Sequence, residues 1–178
     1  MSDEITKITP LAVVPPEKQF GRWTTQLKEE LLGPGPWIDE PDQVEWMAHG
    51  LPCVLFRNRF GVWVGYVGVS PGHPWHGAAY EADALSEISV HGGVTFAGHW
   101  HYVPNTLTTN SDTWWVGFDC GHGGRDVVPA MDRGRFSGYG SEKYRNVEYA
   151  VTHATVLASQ ASQATHALPE GSDAESHD

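Results

Sequence analysis

The chain has 178 residues, 40% of them hydrophobic and 19% charged, which allows one domain with its own core and excludes a wholly disordered chain. Its 22 acidic and 11 basic residues leave a formal charge of -11 with histidine neutral, a field that repels a nucleic-acid backbone. Cys53 and Cys120 make no disulfide framework and no CxxC pair, no 18-residue apolar run offers a membrane span, and the acidic start MSDEITKITP lacks the positive charge of a secretory signal. A soluble cytoplasmic protein without nucleic-acid or membrane partners is expected, with homo-oligomerisation left open.

Residues 1–16 read as an extended N-terminal arm ending at Pro15 and Pro16. Phe20, Trp23, Leu27 and Leu31 then recur at helical spacing, so a helix is predicted over Glu17–Leu32, stopped by Gly33-Pro34-Gly35-Pro36. Val44–Ala48 reads as a short helical turn. PCVLFRNRFGVWVGYVGV, residues 52–69, carries β-branched and aromatic residues on either side of Arg57-Asn58-Arg59 and predicts an antiparallel hairpin. A long aromatic loop over 70–85 follows, then strands at Ile88–His91, Val94–Ala97 and Thr113–Asp119, and an extended loop over 121–140. A second helix is predicted from Glu142 to Gln163, capped by Ser141, with Tyr144, Val147, Val151, Ala154 and Ala158 on its apolar side and small residues that permit close approach to a sheet. Residues 165–178 read as a disordered acidic tail. The fold class is α+β: one two-layer domain over 17–164, an antiparallel or mixed sheet packed by an N-terminal and a C-terminal helix.

Chemistry concentrates in two stretches. In WWVGFDCGHGGRD, residues 114–126, Trp114, Val116 and Phe118 share one strand face, while Asp119 ends the strand on the other and His122 follows within a short turn. A carboxylate beside an imidazole fixes its tautomer and frees the other nitrogen as a base or metal ligand, whereas Cys120 points toward the core. In SVHGGVTFAGHWHY, residues 89–102, Gly92-Gly93 allow a sharp turn beside His91, and His99 and His101 share one face of an extended segment. His91, Asp119 and His122, with His99 and His101 as alternatives, form a candidate ligand set for zinc or another divalent transition metal with an open position for water. Ten histidines in such a chain also meet by chance, and no complete metal motif is present. Glu148, at the edge of the second helix's apolar face, is a candidate to orient water; Trp75, Tyr80 and Arg125 are candidates for a ligand-binding wall and rim.

VHGG at 90–93, WWVGFDCGH at 114–122 and the tyrosine- and glutamate-bearing C-terminal helix resemble a group of small uncharacterised proteins encoded by bacteriophages and prophages. The resemblance spans roughly residues 50 to 160, and its matched residues are His91, Gly92, Gly93, Asp119, Cys120 and His122, with Glu148 a weaker match. It implies a phage or bacterial cytoplasmic setting and brings no reaction with it. Gly123-Gly124-Arg125 lengthen the step from His122 to Asp126 relative to that group, so the resemblance assigns Asp126 to no site.

The first functional expectation is a small, metal-assisted hydrolase of a phosphorylated or nucleotide-like molecule: His122 as base or ligand, Asp119 beside it, His91 as second imidazole, the Gly92-Gly93 amides toward a developing anion, and Glu148 toward water. The alternatives are a non-catalytic module that binds or sequesters a small molecule, and a structural or protein-protein interaction factor.

Overall fold

The computed structural model describes residues 8–100, 107, 109–132 and 141–166. Its strands are β1 (Ala12–Val13), β2 (Gln43–Ala48), β3 (Leu51–Arg57), β4 (Trp63–Val69), β5 (Phe96–His99) and β6 (Trp114–Asp119), joined in one antiparallel sheet of order β1-β2-β3-β4-β6-β5. The α-helices among the described residues are α1 (Thr25–Leu32), α2 (Asp83–Ser86) and α3 (Val147–His166). The α+β two-layer architecture is that expected.

The hairpin of β3 and β4 forms as its pattern predicts, with Phe56 opposite Val64 and Cys53 opposite Val67. The helical turn expected at Val44–Ala48 is instead β2. Val44, Trp46 and Ala48 alternate onto one buried face and pair with Leu55, Cys53 and Leu51, and His49 and Gly50, both at positive φ, close the two-residue turn to β3.

Alternation gives the sheet two apolar faces. Trp46, Leu55, Trp63, Val67, Val116 and Phe118 lie under α3, which presents Ala150, Ala154, Leu157, Ala158 and Ala161. Four alanines in that stripe let the helix sit close to the sheet, as the small residues lead one to expect. The opposite face carries Val54, Phe56, Val64 and Trp115, with Tyr66, Phe96 and Trp100 against them.

The N-terminal helix is shorter than Glu17–Leu32: a 3-10 turn at Pro16–Lys18 precedes an extended break in which Arg22 has positive φ, and α1 starts only after Thr24, whose hydroxyl accepts from the Leu27 amide. Phe20 and Leu31 stay about half exposed, while Trp23 and Leu32 join Trp37 and Val127 in a separate small core. Helix α3 begins later than expected as well. Asn146, not Ser141, caps it through the Tyr149 amide, and Glu40 takes the Val147 amide. Glu40 also accepts from Tyr144 and pairs with Arg57, a fully buried cation held in addition by Asp42, so the start of α3 is tied to the β3 end by charged hydrogen bonds. The tail from residue 167 and the arm before residue 8 lie outside the described residues.

Candidate metal centre

Two irregular segments meet beyond the end of β6, and local chemistry explains the course of each. Residues 88–94 form no strand: the expected Ile88–His91 strand is absent, and the expected Val94–Ala97 strand begins only at Phe96, as β5, with the Thr95 amide already on the Gly117 carbonyl. Gly92 and Gly93 both take positive φ in a turn closed by the Gly93 amide on the Val90 carbonyl, and the segment is tied to α3 instead: Ser89 exchanges two hydrogen bonds with the Gln160 side chain, and the His91 amide donates to His153 Nδ1. The second segment, His122–Asp126, is a tight loop in which the Arg125 and Asp126 amides both reach the His122 carbonyl, while the His122 amide donates back to Asp126 Oδ2 at 3.0 Å. The glycines that lengthen this step are what let Asp126 fold underneath His122. Residues 143–145 then run alongside, the Lys143 amide donating to the Arg125 carbonyl and the Lys143 carbonyl accepting from the Val127 amide, which lays Arg145 against Asp126.

At the centre is Asp126, only 2% exposed. Its Oδ2 lies 2.7 Å from His91 Nε2 and 3.5 Å from His122 Nδ1, and its Oδ1 accepts from Arg145 Nε at 2.8 Å. Burial alone would raise this carboxyl, but the bonds from Arg145, His91 and the His122 amide outweigh it and hold the group below the ordinary aspartate range. His91 is fixed from its other side, with Nδ1 2.8 Å from the Tyr149 hydroxyl, and the Arg145 guanidinium covers the Tyr149 ring. Tyr149 and His153, one turn apart on α3, therefore clamp the ring and the backbone of His91 together. Burial, followed by the charges of His91 and Arg145, lowers His153 below the usual histidine value, in keeping with a neutral ring whose Nδ1 accepts.

His122 differs from its neighbours. Its Nδ1 is buried and has no hydrogen-bond partner, the one such atom of this cluster. The ring lies flat against Gly92, where a β-carbon would come within 2.0 Å of His122 Cε1. Ligand atoms of His91, His122 and Asp126 all lie within 4.8 Å of one another, so the three side chains are able to hold a divalent metal ion. Two imidazoles and a carboxylate suit zinc or a similar transition ion, and three protein ligands leave a coordination position open. Tyr149 behind His91 and Arg145 behind Asp126 supply the outer hydrogen bonds that orient such ligands.

The remaining candidates fall elsewhere. Asp119 stands at the mouth of the cluster, where its Oδ1 accepts from the Gly121 amide and lies 3.9 Å from His122 Nδ1. Cys120 is buried in the main core, where burial, with Asp126 and Asp119 adding to it, pushes its thiol up. Glu148 is exposed and its carboxylate bonds none of these groups; Arg125 is exposed too. Trp75 is buried under α3, and Tyr80 is 47% exposed. His99 pairs with Thr113 and stacks edge-on to Trp114, away from the His91–His122 contact, and His101 lies outside the described residues. Asp126, Tyr149, Arg145 and His153 are the residues that motif reading passed over. The signal for Asp126 was present in its spacing, four residues after His122 across two glycines. No helix among the described residues is long and apolar enough to cross a membrane. No family model, curated protein or solved structure matches the chain.

Proposed function

We propose that the chain is a small metal-assisted hydrolase of a phosphorylated or nucleotide-like molecule, its ion held by His91, His122 and Asp126. One observation carries the reading: ligand atoms of His91, His122 and Asp126 gather within 4.8 Å of one another, where the buried Nδ1 of His122 has no hydrogen-bond partner. Leaving such a nitrogen dry and unpaired is costly, and a metal removes that cost. Charge favours an anionic substrate. Arg145 already offsets Asp126, so a bound dication makes the site positive inside a chain whose overall charge is -11. The ion would lower the pKa of water at its open position, and Asp119, on the His122 side, is placed to accept the proton. The phage-like motifs support a bacterial cytoplasmic setting.

The test combines metal analysis with turnover. Protein dialysed against zinc should retain it stoichiometrically, lose it on His122→Ala, and hydrolyse bis(p-nitrophenyl) phosphate or p-nitrophenyl phosphate only when loaded. Failure to retain zinc, cobalt or manganese would end the proposal. A second reading, a module that binds a small molecule without turnover, is favoured by the exposed Glu148, which leaves Asp119 as the carboxylate beside His122 among the described residues other than Asp126 itself. It is the outcome if loaded protein binds phosphate esters and leaves them intact.

A further inference from the structure

The sheet face turned away from α3 ends in a cleft of about 440 Å³ that reaches Asp119, the residue beside His122. Phe60, Val64, Tyr66, Thr95, Phe96 and Asp119 line it. Its size lies in the ordinary range for small-molecule sites, roughly 300–1,000 Å³. The register makes the wall. Val64 pairs with Asp119 and Tyr66 with Gly117, so Tyr66 and Asp119 project from the same face one diagonal step apart. Gly117 is needed there, because a β-carbon on it would meet the Tyr66 ring at 2.4 Å; the ring lies across the bare backbone and points toward β6. Phe96 stands edge-on to it at 5.4 Å between centroids.

Asn58, Tyr66, Thr95 and Asp119 are the polar side chains that line this cleft, and two of them, Tyr66 and Asp119, share one face of the paired strands β4 and β6. Among the described residues, Asp119 uses Oδ1 for the Gly121 amide and near His122, whereas its Oδ2 has no hydrogen-bond partner, and the Tyr66 hydroxyl has none either. Asp119 can only accept, and Tyr66, which burial and the Asp119 charge push up to about 12, stays a protonated donor. An acceptor and a donor on one sheet face, a diagonal step apart and beside the Phe60 and Phe96 rings, suit the edge of a heteroaromatic ring that offers an N–H and a carbonyl or ring nitrogen. A purely apolar ring would leave both groups dry, and an anion would face a carboxylate.

We propose that this cleft is a base-recognition subsite: it takes a nucleobase-like ring, with Asp119 accepting from its N–H and Tyr66 donating to its neighbouring acceptor. That the phosphate of the same molecule reaches the ion rests on the function proposed above; recognition of the ring does not. Asp119 thereby serves two neighbours, one oxygen toward the metal site and one toward the ring.

The probes are adenosine, cytidine, guanosine and uridine, their 5′-monophosphates, and benzyl alcohol as an apolar control of similar width. Amide shifts of the full chain are followed by NMR, with and without zinc. At least one nucleoside should bind more tightly than benzyl alcohol and shift residues 58–66, 95–96 and 117–121. Asp119→Asn should weaken it at least tenfold and Tyr66→Phe several-fold, both variants keeping the wild-type spectrum elsewhere. With zinc, the matching monophosphate should bind at least tenfold tighter than the nucleoside. A nucleoside that binds with the expected variant losses but gains nothing from zinc and phosphate leaves the subsite standing and removes the link between its phosphate and the ion. Nucleosides that bind no better than benzyl alcohol, or whose affinity ignores both substitutions, overturn the subsite, whatever zinc does.

Discussion

Asp126→Asn keeps the size of a buried side chain and removes its charge, and the structure sets the size of the loss. The carboxylate accepts from Arg145 Nε, His91 Nε2 and the His122 amide, at 2.8, 2.7 and 3.0 Å. An asparagine has one acceptor oxygen, so in either orientation its NH2 group faces a donor. Charged hydrogen bonds contribute about 1.5–3 kcal/mol each, and stranding one partner of a buried pair costs about 3–5 kcal/mol. Arg145 keeps some contact with water, its side chain 20% exposed, and recovers part of the loss. A destabilisation of about 2–3 kcal/mol is therefore expected, roughly 4–12 °C in Tm for a chain of this length. Urea unfolding at pH 7 measures it. Because the folded carboxyl lies below its unfolded value, its contribution is fully present above about pH 4 and is lost as pH falls through the folded value, so wild type and variant should converge in acid. In an Arg145→Met background the same substitution should cost measurably less. A loss under about 1 kcal/mol, or a gap that does not narrow in acid, would refute the described network.

Gly92→Ala should cost about 1–3 kcal/mol and displace His122, since Gly92 has φ +69° and the new methyl would lie 2.0 Å from the imidazole; an unchanged melting temperature and zinc affinity would contradict the stacking. His153, held low by burial first and then by His91 and Arg145, contributes stability that is complete above about pH 6.5 and diminishes as pH falls below it. His153→Asn, which keeps an acceptor for the His91 amide, should flatten that fall between pH 7 and 5, read by denaturant titration at each pH. Cys120 should resist thiol reagents in the folded protein, and Cys120→Ala should cost about 1 kcal/mol through lost packing; rapid modification of this thiol would place it outside the core.

The sheet was legible where side chains alternate and turns are strong, as in the β3–β4 hairpin and β6. Val44–Ala48 carries the same period of two, but glutamate and methionine between its apolar residues make so short a run ambiguous, and the pairing with β3 decides it. The HGG segment went the other way: its flanks have strand-like composition, yet two positive-φ glycines and the bonds to Gln160 and His153 take it to the helix. Such long-range partners leave no local trace.

At the site, His91 and His122 were visible because glycines and a strand end set them apart from the other histidines. Asp126 was hidden by the very glycines that deliver it, since a longer loop looks like a departure until its hydrogen bonds are known. Tyr149 and His153 reach His91 only through the docking of α3, which the apolar stripe of that helix foretells in general but not in rotation, and Arg145 reaches Asp126 through the bridge between Lys143 and the loop, which has no local signal.

A metal ion held among His91, His122 and Asp126, as proposed, would be seen by anomalous diffraction at the zinc edge from zinc-soaked crystals. The expected result is a single strong peak at about 2.0–2.2 Å from His91 Nε2, His122 Nδ1 and Asp126 Oδ2, absent in His122→Ala crystals. A fully soaked crystal with no peak there, and the 2.7 Å contact between His91 and Asp126 intact, would rule out the metal and leave these residues as a hydrogen-bonded clamp between two loops and α3.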